Sequence, residues 1–371
     1  MELTNNHRGG VQRDSNLELY RIVVMLAIVA HHYVVNSGLM EIINESGPMS
    51  FPSLFLLLFG CWGKIGINCF VLITGYFMCR SHITLRKFLK LYLEWMFYKI
   101  VIYFLFALLG YEVFSLKEVV KVLTPFRTLT DGFTSCFIIF YLFIPFLNIL
   151  IHGMTEQQHR WLLVLTLGVF SVWASLPFVN VGSSYVFWFM ALYLTASYIR
   201  LYPIALFGNA RFWGWMSVLA VACSCASVVC MAWLRERFGI SLGYYFFLAD
   251  SNKITALAVA LCLFMFFKNW KLKYNPAINT IAGSTFGVLC IHANSDAMRR
   301  WLWRDVCNNV GFFGSDYLVL HAVGVVLIVF AICVVLDQLR IRFVETPFFR
   351  LYDRIAAVKV REVESDCAIH W

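Results

Sequence analysis

Charge is the scarce commodity in this chain. Of 371 residues only 14% are Asp, Glu, Lys or Arg, while 61% are hydrophobic; a soluble domain carries about 25% charged residues. So few charges cannot cover that much apolar surface in water, which excludes an ordinary soluble globule and requires lipid as the solvent. A composition break is also lacking, so nothing marks off a separate soluble domain. The opening MELTNNHRGGVQRDSNLELYR is polar and carries Asp14 and Glu18. It is not the short basic region running straight into an apolar core that marks a cleaved signal peptide. The 12 cysteines form no C-x-x-C pair, and no His/Cys group has metal-ligand spacing, so neither a redox motif nor a metal cofactor is expected. Most of them (Cys69, Cys223, Cys225, Cys230, Cys262, Cys290, Cys333) sit in apolar stretches and read as small hydrophobes. No internal repeat of the kind that builds many transporters is present.

What is present is a series of apolar segments rich in aromatics, with 35 Phe and 12 Trp. A spanning helix needs about 20 mostly apolar residues. Segments of that kind fall near 19–38, 52–78, 91–110, 133–151, 161–176, 184–199, 213–234, 254–267, 278–293 and 317–338. The expectation is an all-α integral membrane protein, a bundle of about ten transmembrane helices. Its parts are an N-terminal segment (1–18), a membrane domain (19–338) and a C-terminal tail (339–371). With the N-terminus inside, eighteen of the thirty Lys and Arg gather on one side and nine on the other. That two-to-one bias puts both termini in the cytoplasm. It also accounts for the net charge of +9 without nucleic acid as a partner.

Ionisable groups within apolar spans are costly and are functional candidates by default. The first span holds Arg21 and, 11 residues on, His32. At 100° per residue they share one face, separated by roughly 16 Å along the axis. Arg21 is expected near the cytoplasmic surface and His32 near mid-membrane, with His31 turned about 100° away. An arginine at the water boundary can hold phosphate or carboxylate in a planar fork, and a histidine in a dry pocket can take a proton from a hydroxyl.

That Arg-x10-His spacing resembles the signature of acyltransferase family 3, membrane proteins that acylate surface polysaccharides and similar acceptors. Further segments resemble the family in order along the chain. They are Gly66–Phe77 (GINCFVLITGYF), with Thr74 where the family usually has Ser; the basic stretch Arg86–Lys90; Tyr141–Asn148 (YLFIPFLN); Gly283–His292 (GSTFGVLCIH); and Glu345-Thr-Pro347 after the last span. The family often carries an Arg-x-x-Arg pair after the second span. This chain has Lys87-x-x-Lys90 there, which keeps charge but loses the bidentate fork.

The resemblance implies a membrane O-acyltransferase that moves an acyl group, expected to be acetyl from acetyl-CoA, to a hydroxyl of a surface or exported carbohydrate, in a bacterial cytoplasmic membrane. His32 and Arg21 are the catalytic candidates, with His32 as base or as covalent relay. Arg80, Arg86, Lys87 and Lys90 are candidates for the phosphates of coenzyme A, or for anionic lipid. Asn68, Tyr76, His292 and Glu345 are candidates for the acceptor. Each has a structural alternative: Asn68, one turn from Lys64, as a polar packing group; His292 as a core or interface side chain; Glu345 as a helix-end charge. Glu94 and Lys99, five apart in the third span, each require a partner on another helix. The alternative function is a transporter or flippase for a lipid-linked glycan, without chemistry.

Overall fold

The computed structural model describes residues 14–356 except 125–131, 178, 180, 183 and 241. The extreme flanks of the expected terminal segments, 1–13 and 357–371, therefore lie outside the described residues. Among those described, every regular element is helical.

The chain opens with α1 (Ser15–Val35), followed by α2 (Leu39–Ser46), α3 (Phe51–Phe59) and α4 (Gly63–Met78). The expected second span is thus broken around Gly60. There the chain passes so close to α1 that a Cβ on Gly60 would lie 2.8 Å from Val34. Ser50 caps α3 by accepting from the Ser53 amide, with Pro52 in the first turn. Thr84 caps α5 (Leu85–Leu108) in the same way through Lys87 N–H. Next come α6 (Leu116–Leu123), α7 (Phe133–Gly153) and α8 (Glu156–Leu167), the last opened by a Thr155/Gln158 capping box. Then α9 (Tyr185–Leu201), α10 (Ala210–Phe238) and α11 (Ile254–Asn269) lead to α12 (Pro276–Gly283), α13 (Thr285–His292), α14 (Asp296–Arg300) and α15 (Leu318–Arg340).

Among the described residues, six segments are long and apolar enough to cross a bilayer: Ser15–Val35, Phe51–Met78, Leu85–Leu108, Phe133–Gly153, Ala210–Phe238 and Leu318–Ala356. Tyr185–Leu201 and Ile254–Asn269 are apolar but shorter. The other two expected spans are segmented. After α8 the helix loosens into a π turn (Gly168–Val172) and a 3-10 turn (Trp173–Ser175), and 278–293 divides into α12 and α13 at Ser284. The molecule is a multi-pass helical membrane protein.

At its centre, α1 packs against α4, α11, α12, α13 and α15. The seam with α4 is tight because Gly66 has no side chain; a Cβ there would lie 2.5 Å from Ile28 Cγ1. Tyr20 near the start of α1 bonds Cys69 on α4 and the Ala260 carbonyl on α11. The two helices run antiparallel, so the C-terminal end of α1 meets the N-terminal end of α4. Cys223 and Cys230, two of the thiols read as small hydrophobes, are exposed on α10 rather than packed in the interior.

Candidate active site

A cavity of about 340 Å³ opens where the end of α1 meets the start of α4, with walls added by α5, α7, α9 and α13. Its size falls in the roughly 300–1,000 Å³ range of small-molecule sites. His32 lies here, in the last turn of α1, since the helix ends at Val35. His31 lines the same cavity, although helix geometry points its Cβ elsewhere. Gly63 explains how: its missing side chain leaves the space the His31 ring fills, and a Cβ there would come within 2.3 Å of that ring.

The histidines are oriented by a chain of hydrogen bonds. His292 Nδ1 lies 2.6 Å from the Val288 carbonyl oxygen, which only accepts, so Nδ1 carries the proton. His292 Nε2 is then a bare acceptor, and it lies 2.9 Å from His32 Nδ1. His32 must donate there, which leaves its own Nε2 lone pair uncommitted. His292 is fully buried, so water does not compete for this arrangement. His31 is set similarly: its Nδ1 donates to the Gly60 carbonyl at 2.5 Å. Two imidazoles with unprotonated Nε2 atoms therefore border one cavity, their ring centres 5.6 Å apart.

Three cationic side chains complete the lining: Lys64, Lys99 and Arg299. Lys64 reaches the Tyr185 hydroxyl and, at 3.9 Å, the Asp250 carboxylate. Arg299 bonds Asp296 and the Ala293 carbonyl, while its buried Nε has no acceptor among the described residues.

A family model described as an acyltransferase domain matches residues 14–337. The chain belongs to acyltransferase family 3. No curated protein and no solved structure matches it. The matched interval contains every element that lines the cavity and ends just short of Arg340.

Within this family member the other candidate residues separate into distinct places. Arg21 is half-buried, with Glu18 one turn back at 3.4 Å; it does not line the histidine cavity. Asn68 is fully buried, accepting from Trp188 Nε1 and donating to the Ser251 carbonyl, so both ends of its amide are occupied by packing partners. Tyr76 accepts from Arg200, whose guanidinium also lies over its ring. Thr74, in place of the family's Ser, keeps a hydroxyl bonded back to the Phe70 carbonyl.

The basic stretch lies at the opposite end of α4 and is largely paired. Arg80 reaches the Arg200 carbonyl, Arg86 forms a two-point pair with Asp353, and Lys87 bonds Ser81 and the His82 carbonyl. Lys90 pairs with Glu345 at 2.7 Å. Glu345 in turn belongs to a buried network centred on Arg340, which reaches Asp337 at 2.8 Å, Glu345 at 2.8 Å and Glu94 at 3.2 Å. Tyr98 adds a hydrogen bond to Asp337. Gly287 admits this network, since a Cβ there would lie 2.2 Å from Asp337 Oδ1. Glu94 thus has its partner on another helix, as expected. Lys99 has no such partner among the described residues; its contact there is the Trp95 ring on its own helix, 5.9 Å away.

Of the acceptor candidates, then, only His292 stands beside His32. Sequence reasoning missed the shares of His31 and Arg299 in the cavity. Neither follows from local spacing, because Gly63 and α14 bring them there from distant parts of the chain.

Proposed function

We propose that this protein transfers an acyl group, acetyl in the simplest case, from acyl-coenzyme A to a hydroxyl of a surface or exported carbohydrate in a bacterial cytoplasmic membrane. Family membership supports the reaction class, and the histidine chain supports the mechanism. In this reading ten helical segments cross the bilayer, both termini are cytoplasmic, and the histidine cavity opens toward the far side. Coenzyme A phosphates are met at the cytoplasmic end by Arg21 and the Arg80–Lys90 stretch.

His32 Nε2 takes the proton from the acceptor hydroxyl as its oxygen attacks the thioester carbonyl. The positive charge that develops on the His32 ring is shared through Nδ1–H with His292, whose own Nδ1–H is fixed by the Val288 carbonyl. The carbon–sulfur bond then breaks, and the departing thiolate recovers the proton. The observation that carries this reading is the 2.9 Å bond between His32 and His292, because it commits the donor nitrogen of His32 and leaves the basic one free on a residue that lines the cavity.

The test is mass spectrometry of surface glycans from cells with the intact gene, a deletion, and His32→Ala. Loss of one acetyl unit in the deletion and the variant alike, with glycan still at the surface, is the expected result. Glycan that stays acetylated but vanishes from the surface would instead make the protein a transporter.

A further inference from the structure

We propose that the acceptor carries a negative charge near the hydroxyl being acylated, a carboxylate or phosphate group on the sugar, and that Lys99, Lys64 and Arg299 hold it. The inference rests on the acyl-transfer reading of the cavity and adds the chemical class of its acceptor.

The argument begins with an imbalance. Three cationic side chains line one cavity of about 340 Å³, and no described carboxylate lines it with them. The counter-charges they do have are outside. Asp296, beside Arg299, is 90% exposed, and Asp250, beside Lys64, is 47% exposed. Water screens both pairs. Lys99 has no carboxylate partner among the described residues, only the Trp95 ring. Ionisable side chains at membrane depth are ordinarily paired with one another or with backbone carbonyls, or they mark a substrate path. Five residues before Lys99 on the same helix, Glu94 is one of three carboxylates that this chain gathers around Arg340. An anion supplied by a ligand completes the cavity as that network is completed internally.

Two further features agree. Arg299 Nε is buried without an acceptor. The cavity also includes the first residues of the 21-residue helix α7, whose N-cap is Gly132 and provides no capping side chain. The dipole of a helix start favours an anion.

The anion is assigned to the acceptor rather than to the donor because of where the cavity lies. Lys64 and Tyr185 begin α4 and α9, whereas Arg80 and Arg200 lie at the ends of the same helices. The two cationic regions are a helix length apart, and the second is the one that suits the phosphates of coenzyme A.

The experiment uses the full chain in lipid nanodiscs and reads the thermal unfolding midpoint with four probes: methyl glucuronide, glucose 6-phosphate, methyl glucoside and coenzyme A. The two charged sugars should raise the midpoint and the neutral one should not. Lys99→Met should weaken charged-sugar binding on the order of tenfold, as expected for one lost charge-assisted bond, and Lys99→Arg should restore it. The coenzyme A response should survive Lys99→Met. Equal responses to charged and neutral sugars, no response to any anion, or loss of the coenzyme A response alone would each overturn the proposal. Where a probe is also acylated, Lys99→Met should raise KM for charged acceptors by a larger factor than for neutral ones. An equal fall in kcat for both would assign the cation to the transition state instead. His32→Ala separates the two readings: acylation that persists in it removes the catalytic role of His32, while the anion response stands or falls independently.

Discussion

Replacing His292 by leucine is the most direct perturbation of the proposed mechanism, because it removes the acceptor of the His32 N–H at a side chain that does not itself line the cavity. His292 is fully buried, and leucine offers the His32 N–H no acceptor in its place. Leaving a buried N–H unpaired costs about 1–3 kcal/mol. If that energy is lost from the orientation of the base in the transition state, the rate falls roughly 5- to 150-fold, at about 1.36 kcal/mol per tenfold. Removing the base itself in His32→Ala costs more, about 10²- to 10⁴-fold. Because His292 acts only through His32, the double variant should be no slower than His32→Ala alone. His292→Gln, whose side-chain carbonyl can accept the same hydrogen, should recover part of the rate. The assay is the initial rate of labelled acetyl incorporation into surface glycan, compared at equal abundance of each variant in the membrane. A wild-type rate in His292→Leu would refute the reasoning. So would a double variant slower than His32→Ala by the full single-variant factor, since it would show His292 acting on something other than His32.

Three other outcomes follow from the packing. Gly63→Ala should leave a folded protein by size-exclusion chromatography but lower transfer by up to about 10²-fold, since a Cβ 2.3 Å from the His31 ring must displace a group bordering the site. Arg340→Met should cost about 3–5 kcal/mol of stability, because Glu94, Asp337 and Glu345 lose the cation they share; a lowered thermal midpoint in nanodiscs measures it. Arg21→Lys keeps the charge but not the planar fork, so KM for acetyl-CoA should rise several-fold with little change in kcat.

How much of this was legible before the fold was known depends on the range of the interaction. The shared face of Arg21 and His32 is a property of one helix, and periodicity alone gives it. Periodicity also misdirects: it turns His31 away by the angle of its Cβ, but the ring goes where Gly63 leaves room, and that room is made by another helix. The bond between His32 and His292 joins positions 260 apart, so neither neighbourhood hints at the other. The same holds for the basic stretch. Its charges are plain in the sequence, while the carboxylates that neutralise Arg86 and Lys90 arrive from Asp353 and Glu345. Hydropathy, which averages over about 20 residues, runs straight across Gly60 and Ser284, where close packing breaks the helices. Composition and apolar length could establish a helical membrane protein; the cavity depends on gaps and pairings that no such average contains.

The separation of Arg21 from the histidine cavity has a mechanistic consequence. The two residues share a face of α1 about 16 Å apart along its axis, and between them on that face lie Met25 and Ile28, both buried. A donor whose phosphates rest at Arg21 must extend its thioester arm along this packed seam to reach His32, while the acceptor approaches from the cavity mouth. Donor and acceptor would then arrive from opposite faces of the membrane, and transfer itself would carry the acyl group across. Sealed vesicles of known orientation decide the matter. Acetyl-CoA added outside should support transfer in inverted vesicles, where the cytoplasmic face is outward, and not in right-side-out ones. Equal transfer in both would mean that the donor also enters through the cavity mouth, and that Arg21 holds α1 in place rather than the donor's phosphates.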